Sequence, residues 1–122
     1  MKMYNLFGEC HLYVSDMAKE YLNNGWGITT VAIEKGSTLI HCYFEKNETF
    51  IDSRNVLFFS KDELLKEFHI NEKKKPYLVY RNFNDISSFK RYIIDLVGNG
   101  KNLVTKYDEE LDEYYSVPIF VE

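Results

Sequence analysis

Two short residue pairs carry most of the chemistry this chain could perform. Cys10-His11 and His41-Cys42 bring together two thiols and two imidazoles, the number of donors a structural zinc ion takes. Their spacing departs from the zinc pattern, in which one turn supplies two ligands at C-x₂₋₄-C or H-x₃₋₅-H. On a strand, His41 and Cys42 also point to opposite faces. The spacing therefore argues against a metal, and Cys42 reads as a small hydrophobe of the core. A nucleophilic cysteine needs a base beside it and a third group to orient that base. Cys10 with His41 or His69 meets the first requirement formally, but no motif supplies the rest, so no catalytic residue is expected.

The glycines and the cations offer no other chemistry. Gly8, Gly25, Gly27, Gly36, Gly98 and Gly100 form neither G-x-G-x-x-G nor G-x-x-x-x-G-K, so no phosphate loop and no cofactor are expected. Lys73-Lys74-Lys75 and Arg81 with Lys90-Arg91 are small basic groups in a chain of net charge -4 and pI about 5.4. A nucleic-acid binder shows a strongly basic face. These groups read as a solvated loop and a polar helix face, with no direct nucleic-acid contact.

The acidic residues are distributed differently. Residues 107–122 hold six acids and no base, whereas residues 1–106 hold fifteen bases and thirteen acids. The negative charge of the whole chain therefore sits near its C-terminus. Asp108, Glu109, Glu110, Asp112 and Glu113 repel one another and gain nothing for folding. Tyr107, Tyr114 and Tyr115 bracket them, and tyrosine is a preferred interface anchor. Such a surface suits a cationic protein and steers its approach. The bland alternative is a solvated acid-rich turn that keeps a sheet edge soluble.

These residues must be held by a single domain, since 122 residues make one ordinary domain. A chain of this size buries enough surface to need no staples, and two cysteines do not make a disulfide framework. Free thiols point to a reducing compartment. Asn5 and Glu9 interrupt the apolar stretch a signal peptide needs. The uncharged run from Tyr21 to Ile33 is too short and too polar to cross a bilayer. A soluble, cytoplasmic chain is expected. Abundant Asn, Lys, Tyr, Phe and Ile, with alanine only at 18 and 32, fit an AT-rich bacterial or phage gene.

Patterning predicts the elements. Lys2 to Phe7 reads as a short strand. Ser15-Asp16 offers an N-cap for a helix over about 16–24, stopped by Asn23-Asn24-Gly25. Ile28–Ile33 and Thr38–Phe44 form a hairpin across Glu34-Lys35-Gly36-Ser37. Thr49–Asp52 and Val56–Phe59 read as one broken strand or two short ones. Ser60-Lys61-Asp62-Glu63 is a capping box for a helix over about 61–69. A loop over 71–76 leads to a strand over 77–83. Asn84 or Asp85 then caps a helix striped by Ile86, Phe89, Ile93, Leu96 and Val97. Leu103–Tyr107 and Tyr114–Val121 form a terminal hairpin, with Pro118 confining the last strand to an edge. Gly25-Trp26-Gly27 presents a loop tryptophan that is either an interface anchor or a cover for the core. The order β-α-β-β-β-α-β-α-β-β predicts an α+β domain over 1–122, an antiparallel or mixed sheet with about three helices packed on it.

On these grounds the sequence predicts a non-enzymatic binding protein that neutralises a basic protein partner. An immunity protein or antitoxin-type inhibitor of a toxin nuclease domain fits its small, acidic character. Carboxylates 108–113 would occlude the cations that hold nucleic-acid phosphates, while the tyrosines pack. Two alternatives stay open. One is a small nuclease-like enzyme or toxin using His69 or His41 near Arg81 and Lys90-Arg91. The other is a homo-oligomeric module joined through its C-terminal edge strand.

Overall fold

A helix with little local encouragement opens the structure. The computed structural model describes residues 8–53, 57–66 and 75–121; the strand expected over 2–7 lies outside them. Helix α1 spans Cys10–Asn23, and the Glu9 carbonyl accepts from the Leu12 and Tyr13 amides at 3.1 and 3.2 Å. Ser15 and Asp16, expected to cap it, lie inside it. The helix extends past that signal because Cys10, Tyr13, Val14 and Ala18 form one buried stripe, and packing of an apolar face outweighs a local cap. Its end is as expected: Gly25 follows Asn24 with φ 85°, a conformation glycine adopts without a Cβ penalty.

The β-branched and aromatic runs form the main sheet. Strands β1 (Gly27–Ile33), β2 (Thr38–Lys46), β3 (Thr49–Ile51), β4 (Leu57–Phe58) and β5 (Val79–Phe83) lie in the order β4-β3-β2-β1-β5, and every pairing is antiparallel. A short 3-10 turn over Glu34–Gly36 joins β1 to β2, and Ser37 closes it in the left-handed region. Asn47 and Glu48 join β2 to β3 with φ of 49° and 62°, the two-residue geometry whose twist matches a hairpin. The register between β1 and β2 slips between Val31 and Ala32, leaving Ile40 as the extra residue of a bulge directly before His41. Bulges re-aim the side chains beside them.

Both faces of this sheet are covered. On one face Ile28, Cys42 and Phe44 pack with Cys10, Val14, Phe89 and Ile93 of α1 and of α3 (Ile86–Val97). On the other, Val31, Tyr43, Phe50 and Phe58 pack with Leu64 and Leu65 of α2 (Lys61–Lys66). The α3 cap is the expected Asp85, whose Oδ1 accepts from the Ser88 amide at 2.7 Å. Gly98 ends α3 where the chain is crowded: a Cβ there would lie 2.0 Å from the Lys101 carbonyl oxygen. Arg81 of β5 donates to both carboxylate oxygens of Glu34 at 2.5 and 2.8 Å, and the Tyr92 hydroxyl of α3 donates to the same carboxylate at 2.8 Å. These bonds tie the first turn to β5 and α3, and the Arg81 guanidinium with the Tyr92 hydroxyl holds Glu34 down to about 2.

The C-terminal hairpin stands apart as a two-stranded ribbon of β6 (Leu103–Asp108) and β7 (Glu113–Pro118). It is moored at its base. Ile119 and Phe120 turn into the core, and Asn102 bonds the Phe120 backbone through both ends of its amide. The described residues thus form an α+β domain with an antiparallel five-stranded sheet, three helices and an added ribbon. No helix among the described residues is long and apolar enough to cross a membrane.

Candidate functional site

The hairpin of β2 and β3 fixes the first part of the site. Phe44 lies opposite Ile51, so continuing the register sets Asp52 opposite Tyr43. His41 then falls two residues along the same face, a diagonal cross-strand neighbour within reach of a ring. The His41 Nε2 lies 3.3 Å from Asp52 Oδ2, and both side chains are fully buried. The His41 and Tyr43 rings follow each other along that face, 5.9 Å apart. Cys42 points to the opposite face and packs beneath α1, as strand alternation requires.

Helix α1 supplies the second part. Its first residue, Cys10, is buried with Cys42 under the sheet, and the Cys42 thiol and the imidazoles of His11 and His41 bear on its ionisation. The Cys42 hydrogen bond lowers the Cys10 pKa most, burial works against it, and the two imidazoles lower it further, so Cys10 lies well below an ordinary thiol. Burial pushes the Cys42 thiol up, reinforced by its hydrogen bond to Cys10 and the charge there. Burial opposes a charged His41, but hydrogen bonds and charge from Asp52 and Cys10 outweigh it and raise its pKa. The thiol at a helix N-terminus is further favoured as thiolate by the backbone dipoles.

A buried carboxylate bonded to an imidazole, as Asp52 is to His41, is the base and orienting group of the arrangement used in covalent catalysis. Among the described residues no group of three or more His, Cys, Asp and Glu side chains is placed to hold a metal ion. His11 is engaged elsewhere as well, its Nε2 donating to the Ile119 carbonyl at 2.8 Å.

Cys10 is buried yet reachable. It lines a cavity of about 440 Å³ that lies between the start of α1, the start of β2, the second half of α3 and the ribbon. Ligand sites of small molecules begin at about 300 Å³.

The acidic segment forms the tip of the ribbon. The Tyr107 hydroxyl donates to Asp112, and the Tyr107 and Tyr114 rings lie 5.1 Å apart on one face. Asp108 accepts from the Glu110 and Leu111 amides at 3.0 and 3.2 Å. Asp108 and Asp112 therefore have a local task in shaping the turn, while Glu109, Glu110 and Glu113 are exposed. Tyr114 is 76% exposed and Tyr115 48%. All eight residues singled out from the sequence are thus on one projecting element. Trp26 does not project: it packs edge-on against Tyr21, ring centroids 5.6 Å apart. Arg81 is bound by Glu34, and Lys90 lies 5.3 Å from the Phe120 ring. His69, Lys73 and Lys74 lie outside the described residues.

Sequence reasoning did not single out Asp52, and it weighed Cys10 with His41 only as a formal catalytic pair. The signal for Asp52 was present in the hairpin: a two-residue turn at Asn47-Glu48 fixes the register that makes His41 and Asp52 diagonal partners. The approach of Cys10 had no sequence signal, because it depends on how α1 crosses the sheet.

Comparison with protein-family models, with curated proteins and with solved structures finds no match. The class of protein is therefore defined by its own geometry: an α+β domain with a buried His41–Asp52 pair and with Cys10 on the wall of a cavity.

Proposed function

We propose that this chain is an enzyme that uses Cys10 as the nucleophile of an acyl-transfer or hydrolysis reaction. The observation that carries this reading is Cys10 at the head of α1 on the wall of the cavity, with the buried His41–Asp52 pair, 3.3 Å apart, bearing on its ionisation. Cys10 sulfur attacks the acyl carbonyl carbon, forming the C–S bond while the C=O electron pair moves onto oxygen. The Cys10 and His11 amides head α1, where no intrahelical acceptor exists, and serve as donors to that oxyanion. The oxyanion collapses, the bond to the leaving group breaks, and the imidazolium of His41 protonates the departing group. Water, deprotonated by His41, then cleaves the thioester and restores the thiol. Asp52 holds the imidazole in the tautomer and orientation this proton traffic requires. Incubation with a small activated ester tests the reading: the intact mass rises by one acyl group, and peptide mapping places it on Cys10. Acylation of neither thiol, or of both equally, contradicts it.

The ribbon favours a second reading. It carries exposed carboxylates at Glu109, Glu110 and Glu113 and exposed rings at Tyr114 and Tyr115, away from the cavity end. This fits an inhibitor or immunity protein that docks on a basic partner such as a toxin nuclease domain. Changing Glu109, Glu110 and Glu113 to Gln is expected to leave the melting curve unchanged. It is also expected to slow association with a basic partner, since exposed charges steer encounter. A pull-down with wild type and variant, followed by association kinetics at rising salt, checks this; equal rates and equal salt dependence would remove the ribbon as a docking element.

A further inference from the structure

We propose that the cavity between α1, β2, α3 and the ribbon binds a small alkylamine, its hydrocarbon chain against the aliphatic side and its ammonium group against Glu9. The proposal stands on what borders the cavity and does not depend on the chemistry of Cys10. Leu39 of β2, Ile93 and Val97 of α3, and Val104 and Val117 of the ribbon supply the aliphatic side. Val104 and Val117 are cross-strand partners, so their side chains lie together on one face of the ribbon. Each methylene that leaves water against such walls contributes to binding.

Charge selects the head group. Glu9 and Lys106, of opposite sign, both border the cavity. Glu9 is half-buried at the start of α1, whereas Lys106 is exposed. Water and salt screen an exposed charge, and a partly buried one acts through a lower dielectric. Glu9 therefore sets the sign of the site. A carboxylate has about four lone-pair positions, so Glu9 can meet an ammonium while keeping its contacts within the chain. His11, also half-buried on the cavity, adds an acceptor. Its Nε2 donates to the Ile119 carbonyl at 2.8 Å, which makes Nδ1 of the neutral ring a lone pair. The ribbon that closes the cavity carries Asp108, Glu109, Glu110, Asp112 and Glu113 toward its tip. Their field draws cations to this side of the molecule and repels anions. A carboxylate on the same hydrocarbon chain would meet Glu9 and the ribbon as like charges.

The test is calorimetric titration of the intact chain at pH 7 with four probes: n-hexylammonium, methylammonium, n-hexanol and hexanoate. Hexylammonium is expected to bind at least about tenfold more tightly than methylammonium, which lacks the hydrocarbon. It is also expected to bind about tenfold more tightly than hexanol, which lacks the charge. Hexanoate is expected to bind most weakly of the six-carbon probes. Glu9→Gln should remove the preference for hexylammonium over hexanol and leave hexanol binding unchanged. Val97→Trp, which fills the cavity, should abolish binding of both; Val117→Trp fills it from the ribbon and serves if the α3 variant fails to fold. Hexanoate binding as tightly as hexylammonium would overturn the proposal, since Lys106 and the α1 amides would then set the sign. Equal binding of hexylammonium and hexanol, no binding of hexylammonium, or a preference that survives Glu9→Gln would overturn it as well.

Discussion

Cys10→Ser is expected to abolish covalent capture of an activated ester, and His41→Ala to slow it by about 10²–10⁴-fold at pH 7, the range a positioned acid–base group contributes. The two effects have separate causes. A serine hydroxyl keeps the size of the thiol but stays protonated, and its sulfur-to-oxygen change removes the thiol whose ionisation is favoured. Loss of His41 takes away one of the groups that lower Cys10, after the Cys42 hydrogen bond and that of His11, and with it the proton donor for the leaving group. Cys42 is pushed up by burial, so it does not become the acylated residue in the Cys10→Ser protein. Capture that persists in Cys10→Ser at the wild-type rate would place the chemistry elsewhere.

Phe89→Ala is expected to cost about 3–5 kcal/mol, measured by denaturant unfolding, as for other fully buried aromatics cut to alanine. Phe89 is completely buried, and its ring meets Phe83 and Phe120 edge-on, both at 6.1 Å. It therefore joins three elements: α3, the last main-sheet strand, and the chain leaving the ribbon. The cavity it would leave borders Ile93, which also lines the cavity that Cys10 borders. A loss under about 1 kcal/mol would mean that α3 is not docked by this face.

What could be read from the sequence follows the range of the forces involved. The α3 stripe and its Asp85 cap, the β1–β2 hairpin and the Gly25 stop are set by residues close in the chain, and the structure has them where patterning put them. The start of α1 was misplaced by several residues because its cause is tertiary: the stripe from Cys10 to Ala18 is buried by the sheet. The same long-range contact conceals the site. Cys10 and His41 are far apart in sequence, and their meeting requires α1 to cross β2 at its N-terminal end. The ribbon was legible, but its dual character was not. Asp108 and Asp112 hold its turn, and Val104 and Val117 face the cavity, whereas the sequence suggested only a charged surface.

The pH dependence of Cys10 alkylation tests the thiolate–imidazolium pair most directly. Cys10 is lowered, so its thiolate forms above that lowered value, and the stability this contributes is lost as pH falls through it. His41 is raised, so its imidazolium persists above its ordinary range, and that contribution is lost as pH rises through the raised value. The pair exists in the window between. Iodoacetamide labelling, resolved for Cys10 and Cys42 by peptide mass, is expected to give a Cys10 rate that reaches its plateau at lower pH than an ordinary thiol. An ordinary thiol still gains rate up to about pH 8.5. In His41→Ala and Asp52→Asn the Cys10 curve should move toward that ordinary thiol. A Cys10 rate that climbs through pH 8.5 in the wild type, alike in both variants, would contradict the pair and the function built on it.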